Sequence, residues 1–533
     1  MAAIEAARCG ARVLLCTKGI LGRTGITPLS SRSFQAVDQP EDSPQAYFED
    51  LVKGGRNLSD QNLARVLAEE SYPALVELMS FGVEFERHEG RLYQISQVGQ
   101  SHPRSALIRG CGLGLMRGLR KEMARHRNIS VLQDLLVTRI WTRDGQVCGA
   151  SALDLRVGEV MSIGAKAVVL ATGGNEALWP FYDTGPDSLG DGFALAYEAG
   201  ARLIDMEMML YYPTVMVHPE DVRGTIVIYE LFLHPSLAAG KLVNVNGEEV
   251  LGSDKPPARD ILVQAMIREV REGRGSPRSG LYIDLSRSPK PPDEVLSWVR
   301  KGHGFKHLKE MGLDPLKEPL EVAPACHFTL GGVRINERAE TSLLGLFAAG
   351  ECAANLHGAN RLPGAALAEC IVFGKIAGRE ASAFARSASA PEVGIEQTRQ
   401  GEEEIKAIRS LRGNISPREL KGKIRQVMGQ YVDLRRDRTG LRKAISEIES
   451  LKDCLSQIRV IGPNSYNLAL LEAMEARFML INVEMVIRSA LLREESRGHH
   501  LREDFPHPDE RWVKHTWVRR DGEEMVLGTI PVQ

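Results

Sequence analysis

Residues 344–381 read LGLFAAGECAANLHGANRLPGAALAECIVFGKIAGREA and join a strand, a turn, a loop and a helix in one short run. Leu346–Ala349 is an apolar stretch of strand length closed by Gly350. From about Ala365, small residues open a helix and let a ligand come close to its backbone. Between them stands the loop His357-Gly-Ala-Asn-Arg361. A strand end feeding a helix N-terminus turns free N–H groups and a positive dipole end toward an electron-rich ligand, and Arg361 adds a planar fork suited to a carboxylate. An isolated Asn-Arg reads as a surface loop; the rest of the chain decides otherwise.

Further strings stand in order along the chain: Leu14–Thr27 (LLCTKGILGRTGIT), Val168–Gly174 (VVLATGG), Gly190–Gly200 (GDGFALAYEAG), Pro257–Asp260 (PARD), Pro324–Gly332 (PACHFTLGG) and Glu494–Pro506 (EESRGHHLREDFP). With the opening segment they resemble the flavoprotein subunits of fumarate reductase and succinate dehydrogenase, the family that also contains L-aspartate oxidase. The resemblance implies an α/β fold: a Rossmann-like FAD-binding domain, interrupted by an α+β capping domain and followed by a helical domain. On that pattern residues 1–204 and 331–386 form the FAD-binding domain, 205–330 the cap, 397–505 the helical domain and 506–533 a C-terminal tail.

Size and charge narrow the function classes. A chain of 533 residues exceeds what one core holds and predicts about three or four domains. A net charge of −2 argues against nucleic acid as a partner. No stretch approaches the roughly 20 apolar residues of a membrane span, and the first residues show no signal-peptide pattern. The expected location is cytoplasmic, peripheral to a membrane only through partner subunits. Eight cysteines, at 9, 16, 111, 148, 326, 352, 370 and 454, lack the close spacing of metal or cluster ligands and read as buried thiols. No metal site is expected.

Ala2–Gly10 reads as a helix, Ala11–Cys16 as a strand and Lys18–Thr27 as a Gly-rich loop, the second half of a βαβ unit. The resemblance puts a first strand and its G-x-G-x-x-G turn just before the point where this chain begins, so both are expected to be missing. Pro44–Lys121 has a helical pattern, with Ala64–Leu78 clearly amphipathic. Ile129–Val160 alternates around Asp144-Gly145 as hairpin strands, and Lys166–Leu170 returns as a buried strand. Ser387–Glu396 has linker composition, and Gln397–Leu492 is largely helical, broken at Gly462-Pro463-Asn464. Met206, Met208 and Met209 read as core. Arg435-Arg436-Asp437-Arg438 reads as a solvated helix face, and His499 and His500 as packing or interface residues.

For the cofactor, Thr17 and Lys18 follow the second strand, where such folds contact the ribose. Arg23, Thr24, Gly25 and Thr27 offer N–H groups and hydroxyls to the diphosphate and ring. Ala171-Thr172-Gly173 brings a strand end close without bulk. Asp191 can cap the following helix or touch the ligand, and Glu351 can accept a sugar hydroxyl. Ala366 and Leu367 open the last helix. Respiratory members of the family attach FAD through a His in the first loop, where this chain has Arg23-Thr24-Gly25. Glycine cannot make that bond, so a non-covalent FAD is expected.

For the substrate, Arg361 and His327 match the family's carboxylate-binding Arg and His, Arg259 its proton-donating Arg and Glu230 its relay acid. An Arg donates a proton only if a relay restores it. Two departures stand out. Relatives read His-Pro-Thr where this chain has Tyr212-Pro213-Thr214, and Arg-Gly-Glu-Gly where it has Leu231-Phe232-Leu233-His234-Pro235. A lost cationic clamp favours a different acid or a monocarboxylate, and each charge-assisted bond is worth roughly 1.5–3 kcal/mol. The expected function is hydride transfer between flavin N5 and a small carboxylate, with electrons passing through a separate iron–sulfur subunit or a soluble donor. Two alternatives remain: a soluble aspartate oxidase-like enzyme, and an electron-transfer subunit without dicarboxylate chemistry.

Overall fold

The computed structural model describes all residues except 32, 253–254, 302–311 and 390–392. The last three lie inside the expected Ser387–Glu396 linker.

Two parallel ladders carry the nucleotide-binding half. Val13–Cys16 pairs with Ile129–Leu132, and Val168–Leu170 with Leu346–Ala348. Helix Ala365–Ser387 follows the second ladder, and helix Ala2–Arg8 packs across it. Glycine makes this approach possible, because a Cβ on Gly378 would sit 2.3 Å from the Ala2 carbonyl oxygen. The antiparallel sheet Leu135–Arg143, Gln146–Asp154, Glu159–Gly164 turns at Asp144 and Gly145, both at positive φ as a two-residue hairpin requires.

The Pro44–Lys121 region is less helical than its pattern. Helices Pro44–Gly54, Gln61–Ser80 and Cys111–Met123 flank short strands between Arg87 and Leu107, where cross-strand pairing overrides local propensity.

A second core lies in the four-stranded sheet whose neighbours run Met209–Met216, Leu320–Thr329, Leu281–Asp284, Lys241–Val243. Helix Arg259–Arg271 packs on its first two strands. Its start is tied to the nucleotide-binding half by Arg56, whose Nε and Nη2 both donate to Asp260 at 2.6 Å.

Helices Ile395–Ser410, Pro417–Tyr431, Arg438–Asp453 and Leu468–Leu492 follow. Ser416, Asp437 and Asn467 cap the last three by accepting a backbone N–H three residues on. Residues 506–533 are no loose tail. Lys514–Asp521 and Glu524–Pro531 form a hairpin that joins Leu203–Ile204 and Gly332–Val333 in one sheet. Among the described residues, no helix is long and apolar enough to cross a membrane, and no group of three or more His, Cys, Asp or Glu could hold a metal ion.

Arg436 overturns the expectation of a solvated face. It is 1% exposed and donates to the Glu207 carbonyl at 2.7 Å, beside His500 Nδ1 at 2.8 Å. Next to it Arg493 has no exposure and donates to Glu207, Glu495 and Asp205 at 2.6, 3.0 and 3.2 Å. Asp205 also meets His515 Nδ1 of the terminal hairpin at 2.5 Å. Buried charge of this kind holds only when paired on all sides, and it locks the end of the long helix to the sheet edge.

Candidate active site

The four side chains expected at the substrate lie together where the two cores meet. Strand Leu320–Thr329 carries His327 and Phe328 on alternate faces. Facing strand Met209–Met216 brings Tyr212, whose ring centroid lies 5.2 Å from that of His327. Arg259 is the first residue of its helix, and its Cζ sits 4.8 Å from the same Tyr212 ring. Arg361 comes from the loop after Leu346–Ala348, with Cζ 4.5 Å over Phe328. That loop is braced by His357 Nε2 against Glu369 at 2.9 Å and by Asn360 Nδ2 donating to the Gly54 carbonyl at 3.1 Å.

The electrostatics are unbalanced. Arg259 and Arg361 are both buried. Arg361 donates only to the Leu362 carbonyl, at 3.1 Å, and its Nε is without a hydrogen-bond partner among the described residues, as are Nε and Nη1 of Arg259. Burial first, and Arg259 second, hold Arg361 below its ordinary pKa. Two crowded guanidinium groups with spare donors are a site for an anion. Arg259 does have one carboxylate nearby, Glu230 at 3.7 Å, and the Tyr212 hydroxyl donates to that same Glu230 at 3.0 Å. The Glu230 carboxylate, the Tyr212 phenol and the Arg259 guanidinium thus each touch the other two.

Reading the sequence alone missed Asp183, whose carboxylate lies 2.9 Å from His327 Nδ1 and is wholly buried. No local pattern marks it, because the contact spans 144 positions. It also missed Glu176, which shares the Thr329 backbone N–H with Glu351, at 3.0 and 2.8 Å.

Several of the expected cofactor residues lie close to one another: Lys18 meets Asp191, Thr172 lies beside Gly192, and Glu351 beside Gly174. Ala171 and Thr172 are exposed at the end of strand Val168–Leu170, and Gly173 has φ +76. Gly192 lets Thr172 approach, since a Cβ there would lie 2.0 Å from its Oγ1. Glu351 is buried beside Gly174, and burial first, then Glu176, raise its pKa well above the usual carboxyl value. A neutral carboxyl both donates and accepts, which suits a sugar hydroxyl. Ala366 and Leu367 lie in the first turn of helix Ala365–Ser387, whose leading N–H groups have no intrahelical acceptor. A strand end without bulk, a buried carboxyl and a helix start fit FAD.

Two details differ from expectation. Asp191 does not cap its helix: Gly190 is the cap residue, and Asp191 Oδ2 accepts from Lys18 at 2.8 Å. Lys18 also donates to Glu475 at 3.0 Å, so its ammonium is committed to the protein and only its backbone is left for a ligand. Burial opposes its charge, and these two partners raise its pKa despite it. Thr17 spends its N–H on the Leu132 carbonyl at 2.9 Å. Arg23, Thr24 and Gly25 stand exposed in a loop folded back on Ile20, and Thr27 starts a short 3₁₀ turn.

The model of the FAD binding domain matches residues 1–367, and that of the fumarate reductase flavoprotein C-terminal region matches 421–533. The chain belongs to the fumarate reductase/succinate dehydrogenase flavoprotein family. Within this family it is 36% identical over 538 residues to one of the subunits of the fumarate reductase (CoM/CoB) of Methanothermobacter marburgensis, covering 99% of this chain and 96% of that one. The fumarate reductase flavoprotein subunit of Escherichia coli is 29% identical, covering 98% and 90%. Among solved structures, E. coli quinol fumarate reductase superimposes with a TM-score of 0.91 at 27% identity, covering 100% and 95%. Mycobacterium smegmatis Sdh1 in complex with UQ1 gives 0.91 at 30% identity, covering 100% and 92%. This chain is therefore an FAD-dependent oxidoreductase of the fumarate reductase/succinate dehydrogenase type, with a Rossmann-like FAD-binding domain, a cap and a C-terminal helical domain.

Proposed function

We propose that the pocket binds a small carboxylate against the flavin, with Arg361 and His327 gripping the carboxylate group and Arg259 delivering the proton. FAD, when bound, supplies the hydride. In the reductive direction fumarate takes up two electrons and two protons to give succinate, and one of those protons comes from Arg259. Glu230 stands 3.7 Å from Arg259 and restores its proton. The observation that carries this reading is the pair of buried guanidinium groups with unspent donors.

Thr17, Lys18, Arg23, Thr24, Gly25, Thr27, Ala171, Thr172, Gly173, Asp191, Glu351, Ala366 and Leu367 are the residues assigned to FAD. Lys18 and Asp191 act as a pair that holds the first loop against the helix start. Tyr212 replaces a cation with a neutral phenol, which favours substrates with one strongly bound carboxylate. Because the relatives named above are subunits, and no cysteine set for a cluster occurs here, electrons pass through a separate iron–sulfur partner.

Arg361→Ala in FAD-loaded protein tests the assignment, with reduced-dye oxidation by fumarate and dye reduction by succinate as readouts. The expected result is retained FAD and turnover lowered about thirtyfold or more, since removing one buried charged contact costs about 2–5 kcal/mol. Unchanged turnover would remove Arg361 from the site. Peroxide formation with L-aspartate would instead favour the oxidase reading, which the fumarate reductase relatives named above do not favour.

A further inference from the structure

We propose that Asp183 is the positioning residue of the pocket: it grips Nδ1–H of His327 and so turns Nε2 toward the substrate carboxylate as the proton-carrying nitrogen. The inference rests on the carboxylate-pocket reading above.

The backbone shows how Asp183 is placed. Cys326 donates its N–H to the Phe181 carbonyl at 3.1 Å, and Asp183 donates its own to the Cys326 carbonyl at 3.2 Å. Phe181–Asp183 thus runs beside strand Leu320–Thr329, and Tyr182 forms a parallel bridge to Cys326. That register sets the Asp183 carboxylate against the next residue, with its oxygens 3.0 and 2.9 Å from His327 Nδ1. Its side chain has 0% exposure. A carboxylate that far from water needs a charged or proton-donating partner. An ionised carboxylate only accepts, so it admits His327 solely with a proton on Nδ1.

Among the described residues, the other groups seen to face this imidazole work against its charge or are neutral. Arg259 reaches it from the helix and Arg361 from the loop, Tyr212 stands on the facing strand, and His499 approaches from the Glu494–Pro506 segment. Burial and the two guanidinium groups push the ring toward neutrality, and Asp183 pulls the other way. A neutral ring with its proton on Nδ1 turns a lone pair toward the pocket, which repels a carboxylate. Substrate binding therefore brings a proton to Nε2, completing an imidazolium held between Asp183 and the ligand. Binding should weaken as pH rises.

Asp183→Asn keeps the shape and removes the charge. Fumarate and the non-reducible dicarboxylate malonate are titrated into FAD-loaded wild type and variant from pH 6 to 9, following flavin absorbance, with kcat and KM measured in parallel. The variant is expected to lose affinity at a pH lower by about one unit, with about a tenfold weaker dissociation constant on the alkaline side. Its kcat at saturation on the acid side should change less than threefold. A midpoint that does not move overturns the role of Asp183 alone. Wild-type protein that takes up FAD but binds neither probe overturns the pocket reading and this role with it. A second measurement stands independently of the variant: nitrogen NMR of histidine-labelled wild type, with His327→Gln to assign the ring. Nδ1 should stay protonated from pH 6 to 9; a proton resident on Nε2 alone at high pH would refute the proposal.

Discussion

The Tyr212 hydroxyl donates to Glu230 Oε2 at 3.0 Å while its ring lies 4.8 Å beneath the Arg259 guanidinium. The phenol, at the position the family resemblance gives to a histidine, therefore touches the acid proposed as the relay as well as the guanidinium proposed as the proton donor. In Tyr212→Phe a carboxylate loses one hydrogen bond, worth roughly 1.5–3 kcal/mol. Steady-state assays should show kcat lower by about tenfold or more, with FAD content unchanged. Equal kcat would detach Tyr212 from the relay.

Tyr212→His restores a group that can carry charge. Fumarate KM is expected to fall by about tenfold at pH 6 and by less at pH 8, because the imidazole is charged only at the lower pH. A KM that is independent of pH would show that the new ring is not in contact with substrate.

Arg493→Leu leaves Asp205, Glu207 and Glu495 without their shared guanidinium. Breaking a buried network from one side costs about 3–5 kcal/mol, so the denaturant midpoint should fall clearly. An unchanged midpoint would show that water replaces the lost donors.

Glu351 gives a pH signature in protein freed of FAD. Its folded-state pKa is raised well above 4.5, by burial first and Glu176 second. The folded state therefore holds a proton that the unfolded chain releases, and stability contributed by the protonated carboxyl is lost as pH rises above about 4.5 toward the folded value. Glu351→Gln should flatten that part of the stability profile. A slope that persists would assign it elsewhere.

The family resemblance puts the FAD-bonding histidine of respiratory members at Gly25, so acid precipitation should leave the yellow colour in the supernatant. A coloured pellet would mean attachment at another residue.

Local chemistry made much of this molecule legible. The helix starting at Ala365, the strand before Gly350 and the Asp144-Gly145 turn all follow from glycine placement and apolar runs, which act over a few residues. Arg259, His327, Arg361 and Glu230 are expected from the family resemblance, and the fold brings these side chains near one another. What stayed hidden depends on distant partners. Asp183 acquires meaning only through a backbone register against Cys326, and Arg436 is buried by segments that fold over it from both the cap side and the Glu494–Pro506 segment. The Lys514–Pro531 hairpin pairs with a strand of only two residues, Leu203–Ile204, too short to leave a pattern. Asp191 looked like a cap because Asp favours helix starts; a lysine 173 positions away claims it instead.

The salt-linked knot around Arg493 bears on how such a chain can change. Excising or exchanging the four-helix portion together with Arg493 would leave Asp205 and Glu207, next to the pocket strand Met209–Met216, without their guanidinium partner. That portion is thus not a detachable module, and its surface can diverge for new partners only while this inner seam is kept.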